Sequence, residues 1–295
     1  MKNYRLWAAA AALCFAAPVS AAAPALPDAD PAMWKVADED TTIYLFGTFH
    51  ALDGKSDWFN DEIKTAFDKS DELVIEAILP DDPGALQPIV MKYALDTSGK
   101  ALSAKLSPEG QKKLAAGLAA IGAPPTAFDK FKPFFASISM AAIGMQKMGM
   151  AADKGAEKSL RSAAEASGKP VSAIEDVEFQ IGMFDRIPEA EQLAMLEELL
   201  KSIDEMPAEM GHLLSAWNRG DADAFKAIMD KSEGQGPAAY KVIFSDRNAT
   251  WAEWIDRRLD KPGTVFLAVG TGHLAGKDSV QQLVEQRKIK VVRAN

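Results

Sequence analysis

Cysteine is almost absent from this 295-residue chain: the one present, Cys14, allows no intramolecular disulfide and excludes cysteine-based zinc and iron–sulfur sites. Histidine is scarce too, so any imidazole chemistry must draw on His50, His212 and His273. Positive charge is in deficit, with 33 Lys and Arg against 42 Asp and Glu, for a formal net charge of −9. Phosphate contacts need clustered Lys and Arg, and no basic run occurs, so nucleic acid is excluded as a partner. Beyond the N-terminus no apolar run reaches the roughly 18 residues of a membrane span. The nearest candidate, residues 134–150, is interrupted by Gln146 and Lys147. What remains is a globular composition, 48% hydrophobic and 25% charged, with length enough for a substantial core.

The N-terminus reads as a targeting segment. Lys2 and Arg5 precede an apolar stretch from Leu6 to Ala17, followed by small residues at Val19, Ser20 and Ala21. That pattern predicts a secretory signal peptide over residues 1–21, cleaved after Ala21, with a short membrane anchor as the competing reading. Leu13 before Cys14 is too large for a lipoprotein signal. Cleavage would remove the sole cysteine and two basic residues. Residues 22–32, rich in Ala, Pro and Asp, read as a flexible lead-in. The expectation is a periplasmic or secreted protein with no stable membrane span.

Apolar patterning places β structure at both ends and helices between them. Residues 33–36 and 42–46 suggest a hairpin, 72–76 a strand, and 264–269 and 289–292 further strands. Helical periods run through 58–70, 86–95, 108–121, 128–150, 155–167, 189–203, 208–218, 221–231, 241–259 and 279–286. A short strand is expected at 171–174. These elements predict an α/β fold over residues 33–295, read as one domain. Its central mixed sheet is formed by the N- and C-terminal segments, with a large helical insertion at about 81–262. The strands near the core do not alternate, so both sheet faces should be buried.

Two segments echo each other. The run Thr42-Ile43-Tyr44-Leu45-Phe46 leads into Gly47-Thr48-Phe49-His50, and Val265-Phe266-Leu267-Ala268-Val269 leads into Gly270-Thr271-Gly272-His273. Each is an apolar strand followed by Gly-Thr-x-His. Ligands in open α/β sheets bind at the carboxyl ends of strands, so the two histidines could meet over one sheet edge. Glu76 ends the apolar run Leu73-Val74-Ile75, where an unpartnered carboxylate would be costly. Two imidazoles and a carboxylate suit zinc, iron or manganese, with water in an open position. Two satisfied structural histidines after ordinary turns are the competing reading. Glu175 follows the strand at 171–174 and is either an orienting carboxylate or a surface acid. His212 lies in a helix pattern and reads as an ordinary helical residue. The stripe Phe131, Phe134, Phe135, Ile138, Ile143, Met145 and Met148 reads as core or helix interface, or else as a pliable wall over a peptide groove.

Taken together, residues 44–50, 72–76 and 270–274 resemble the TraB/GumN family, which is related to the Tiki metalloproteases. The similarity extends through Gly168-Lys169-Pro170-Val171, Glu175, Gln180, the pair Arg247-Asn248 and Trp251. It implies a Tiki/TraB-like fold and a hydrolase, protease-like, acting on a peptide or protein substrate. It implies a divalent metal ion such as manganese or cobalt, with zinc also compatible, held by two Gly-x-x-His motifs and a glutamate. Those carry over to His50, His273 and Glu76. Arg247 would hold a substrate carboxylate or a developing oxyanion, or would form a structural salt bridge. A non-catalytic protein that binds or sequesters a peptide at the same sheet edge is the alternative.

Overall fold

The computed structural model describes residues 25–295. The expected signal peptide at 1–21 lies outside the described residues. A six-stranded mixed sheet has the order β4-β3-β5-β2-β1-β6. Its strands are β1 (Met33–Ala37), β2 (Thr41–Thr48), β3 (Glu72–Ile75), β4 (Val171–Ala173), β5 (Gly263–Gly270) and β6 (Val291–Arg293). Strand β5 pairs in parallel with β2 and β3, and β3 with β4. Strand β1 is antiparallel to both β2 and β6. Four parallel strands therefore deliver their carboxyl ends to one edge.

Both faces of this sheet are covered, which accounts for the lack of alternation in β2, β3 and β5. Helix α1 (Asp61–Lys69) buries Ile63, Ala66 and Phe67 on one face, beside Phe46, Leu73 and Phe266. The other face carries Ile43, Leu45, Val74, Val265 and Leu267 against Trp251 and Ile255. Between β3 and β5 the chain is mostly helical. It runs through α2 (Gln87–Ala94), α3 (Pro108–Ala119), α4 (Pro133–Lys147), α5 (Ala156–Ser167), α6 (Val177–Gly182), α7 (Glu189–Ser202) and α8 (Met206–Asn218). It continues through α9 (Ala222–Gln235), α10 (Pro237–Tyr240) and α11 (Asp246–Leu259), and α12 (Val280–Gln286) follows β5. Among the described residues no helix is long and apolar enough to cross a membrane.

Three local differences from the sequence reading have physical causes. The helix expected at 128–150 begins at Pro133, because proline lacks the N–H an interior position would need and favours the first turn. Its aromatic stripe is packing: Phe134 stacks on Phe184 at 5.4 Å and Phe131 on Phe135 at 4.7 Å. The helix expected at 241–259 opens with a π-helical turn, Lys241–Ser245, before α11. The described part of the expected flexible lead-in is docked. Ala29 donates to the Asp57 carbonyl at 3.0 Å and Asp30 to the Asn218 carbonyl at 2.8 Å, and Ala29 and Ala32 are buried.

Candidate active site at the strand ends

The carboxyl ends of β2, β5, β3 and β4 carry His50, His273, Glu76 and Glu175 in that spatial order. Glu175 donates its backbone N–H to the Glu76 carbonyl at 2.9 Å, so both acids are held side by side. The buried face of α11 adds the polar pair. Arg247 and Asn248 lie one turn before Trp251 and Ala252 on that face, so the packing that seats Trp251 on the sheet also brings the pair to the strand ends.

Arg247 is 4% exposed and ties the acids together. Its Nη2 donates to Glu76 Oε2 at 2.7 Å and Glu175 Oε2 at 2.8 Å, and its Nε to Glu175 Oε1 at 2.9 Å. Its Nη1 donates to the Ile243 carbonyl at 3.1 Å, a group within the π-helical turn. Gln180 donates to both Glu76 and Glu175, and the Trp251 indole N–H to Glu175 Oε1. Of the two roles weighed from the sequence, the guanidinium fills the salt bridge: it is buried and committed to two carboxylates, with no face left for a substrate.

The two histidines are prepared alike and exposed differently. His273 is buried between Trp251, at 4.3 Å between ring centroids, and Phe244, at 5.0 Å. Arg247 Nη1 lies 3.0 Å from its Nε2. A guanidinium only donates, so Nε2 carries the lone pair and Nδ1 carries the proton. That proton goes to Asn248 Oδ1 at 2.5 Å, while Asn248 Nδ2 donates to the Asp278 carbonyl at 2.7 Å. Burial pushes His273 down to about 3, so it is neutral. The His50 side chain is 71% exposed, and its Nδ1 meets Glu157 Oε1 at 2.6 Å. The charge of Glu157 pulls His50 up to about 9. Thr48 Oγ1 donates to the same Glu157 oxygen.

These groups converge around Gly270. Its N–H donates to Glu76 Oε1 at 2.6 Å. A side chain there would stand 3.2 Å from both Glu76 Oε1 and His50 Nε2, so glycine leaves the meeting point clear. His273 Nε2 is 3.9 Å from Glu76 Oε1. Burial opposes ionisation of Glu76, but the His273 ring, the Arg247 guanidinium, His50 and the Gly270 N–H bring it down to about 2. A second glycine positions Glu157. At Gly155 a Cβ would fall 2.2 Å from the His50 carbonyl oxygen, and Ala156 donates to the Phe49 carbonyl at 3.1 Å, so α5 starts flush against the β2 exit.

The donor types suit a borderline divalent cation, two imidazoles each anchored through Nδ1 and one ionised carboxylate, provided His50 gives up its Nε2 proton on binding. The spacing is more open than a closed coordination shell. Among the described residues no group of three or more His, Cys, Asp or Glu side chains is gathered closely enough to hold a metal. Ligation through His273 Nε2 would replace its contact with Arg247.

His50, Glu76, Glu175 and His273 thus come together as their strand-end positions implied, and Arg247 joins them. His212 sits exposed on α8, outside this cluster. Glu157 was missed. In the sequence it is an ordinary acid in the first turn of a helix, and only the backbone contact at Gly155 brings it to His50.

The model of the TraB/PrgY/gumN family matches residues 32–293. The chain is 26% identical over 185 residues to the Escherichia coli (strain K12) protein named "Uncharacterized protein YbaP", covering 63% of this chain and 68% of that one. The Shigella flexneri protein of the same name matches to the same extent. An "Uncharacterized protein" of Treponema pallidum (strain Nichols) is 21% identical over 271 residues, covering 87% of this chain and 80% of its own. No solved structure matches significantly.

Proposed function

The chain belongs to the TraB/PrgY/gumN family, and from that premise we propose that it is an exported hydrolase of peptide or amide bonds that works with a divalent metal ion. The observation that carries the reading is the matched preparation of the histidines. Each ring is anchored at Nδ1, by Glu157 or by Asn248, and the two rings flank Glu76 beside Gly270.

His50, Glu76 and His273 would hold the ion, with manganese, cobalt and zinc all compatible with that donor set. Such an ion polarises a carbonyl and eases deprotonation of water. The chain's own groups do the rest. Glu157 fixes the His50 ring plane and Asn248 fixes the His273 tautomer. Arg247, Gln180 and the Gly270 N–H keep Glu76 ionised and aimed, as a ligand to a cation requires. Substrate would approach from the His50 side, because the His50 side chain is exposed and His273 is buried.

One contact favours a second reading. Arg247 Nη1 already occupies His273 Nε2, which leaves His50, held protonated by Glu157, as a metal-free general acid. The two readings separate on elemental analysis of the native protein and of His50→Ala, together with hydrolysis of a peptide library before and after chelation. The metal reading predicts a bound transition metal in the parent, its loss in His50→Ala, and turnover abolished by chelator and restored by manganese, cobalt or zinc. Turnover indifferent to chelator would support the metal-free reading. Ligand or metal bound without turnover would point to a binding protein.

A further inference from the structure

A pocket of about 280 Å³ opens beside His50 and Glu76, between the segment leaving β3 and the first turns of α5. That volume lies at the small end for ligand sites, which run from about 300 to 1,000 Å³. It suits one residue-sized group. Its walls are apolar at Ile75, Ala77, Leu79 and Ala152. Its lysine and arginine stand on consecutive turns of α5, and they differ. Arg161 is 18% exposed and spent on structure. It bonds Glu165 at 2.8 Å, Asp81 at 3.1 Å and the Leu79 carbonyl at 2.7 Å, pinning the loop after β3 onto α5. Lys158 is exposed and makes no ion pair among the described residues. The other charged groups lining the pocket are engaged: His50 with Glu157, Glu76 with Arg247, and Arg161 with Asp81 and Glu165, which leaves Lys158 as the charged lining group with no ion pair among the described residues.

From this juxtaposition we propose that the pocket takes an apolar side chain whose own carboxylate is held by Lys158. The ligand class is therefore a carboxylate-terminated apolar residue, free or at the end of a peptide. The inference rests on the proposed hydrolytic reading only for its link to turnover: with His50 and Glu76 lining the same pocket, the carbonyl of the bond to be cut would lie next to them. Leu79, at 53% exposure, supplies the outer apolar wall, and Ile78 beside it is 39% exposed. Both are apolar surface left uncovered next to the pocket.

The test is equilibrium binding to the full protein, by calorimetry or ligand-observed magnetic resonance. The probes are N-acetyl-L-leucine and its uncharged analogue N-acetyl-L-leucinamide. An exposed ion pair is worth up to about 1 kcal/mol, so the carboxylate should bind about fivefold more tightly. Lys158→Glu should remove or invert that preference with unchanged unfolding. Leu79→Asp, at an exposed position, should weaken both probes. No binding of either probe, equal binding, or a preference that survives Lys158→Glu would overturn the proposal. The assay needs no turnover, so its failure is separate from failure of the hydrolase reading. A carboxylate preference in a protein that cleaves nothing would leave the pocket standing, and peptide cleavage without the preference would do the reverse.

Discussion

Arg247→Met should destabilise the folded chain by about 3–5 kcal/mol, the cost of leaving buried charge without its partner. The guanidinium is 4% exposed, and the two carboxylates it bridges, Glu76 and Glu175, have side chains 12% and 7% exposed. Methionine fills much of the volume, so the loss is electrostatic more than steric. Two further measurements identify the cause. Adding Glu175→Gln to Arg247→Met removes one of the stranded charges and should recover part of the loss. The pH dependence should also weaken. In the parent, Glu76 is held down to about 2, so its contribution to stability is present above its ordinary value of 4.5 and is lost as pH falls towards 2. Without the guanidinium, Glu76 loses one of the influences that hold it down and protonates at higher pH, so acidification should narrow the gap between variant and parent. Urea unfolding at several pH values reads both effects. A loss under 1 kcal/mol, or one independent of pH, would mean the acids find other partners.

The second large effect is on acidity. Glu157→Gln should lower the pKa of His50 from about 9 towards its ordinary 6.5, because the charge of Glu157 is the largest influence on that ring. Glutamine can still accept the Nδ1 proton, so ring placement survives while the charge goes. The His50 ring is 71% exposed and solvent screens part of the pairing. A fall of at least about one pH unit is still expected, since a 2.6 Å contact dominates its surroundings. The measurement is a histidine-detected magnetic resonance titration of metal-free protein. His273, neutral down to about 3, is the internal control and should not respond over the same range. A His50 titration that is the same in parent and variant would remove Glu157 from the site. Since metal ligands must be deprotonated, the variant should also load metal at lower pH than the parent.

Much of this site is legible in the residues themselves. Gly-Thr-x-His after an apolar strand, twice in a chain with three histidines, fixes which imidazoles matter, and the parallel pairing of β2 with β5 brings them to one edge. Glu76 and Glu175 are legible for the same reason: each ends a short apolar strand. Arg247 is legible as a residue through the family resemblance, yet its role is not. Sequence cannot say whether a guanidinium faces substrate or lies beneath two carboxylates, because that depends on how α11 seats Trp251 on the sheet. Glu157 is illegible, being one acid among many at a helix start. What brings it to His50 is a main-chain approach at Gly155, a long-range contact with no local pattern. The boundaries of α4 and α11 went astray at particular residues too. Pro133 starts one helix late, and the π-helical turn at Lys241–Ser245, which places the Ile243 carbonyl under Arg247, has the same apolar period as the helix it interrupts.

The central claim is that the strand-end cluster turns over substrate. The measurement that tests it most directly is hydrolysis of a peptide library by metal-supplemented parent protein beside His50→Ala, His273→Ala and Glu76→Gln, with the fold of each checked by circular dichroism. The account predicts cleavage by the parent and a fall of at least about a hundredfold in each variant, the scale expected for losing a general acid or an ion that activates water. Cleavage that persists at the parent rate in folded His50→Ala and Glu76→Gln would contradict it.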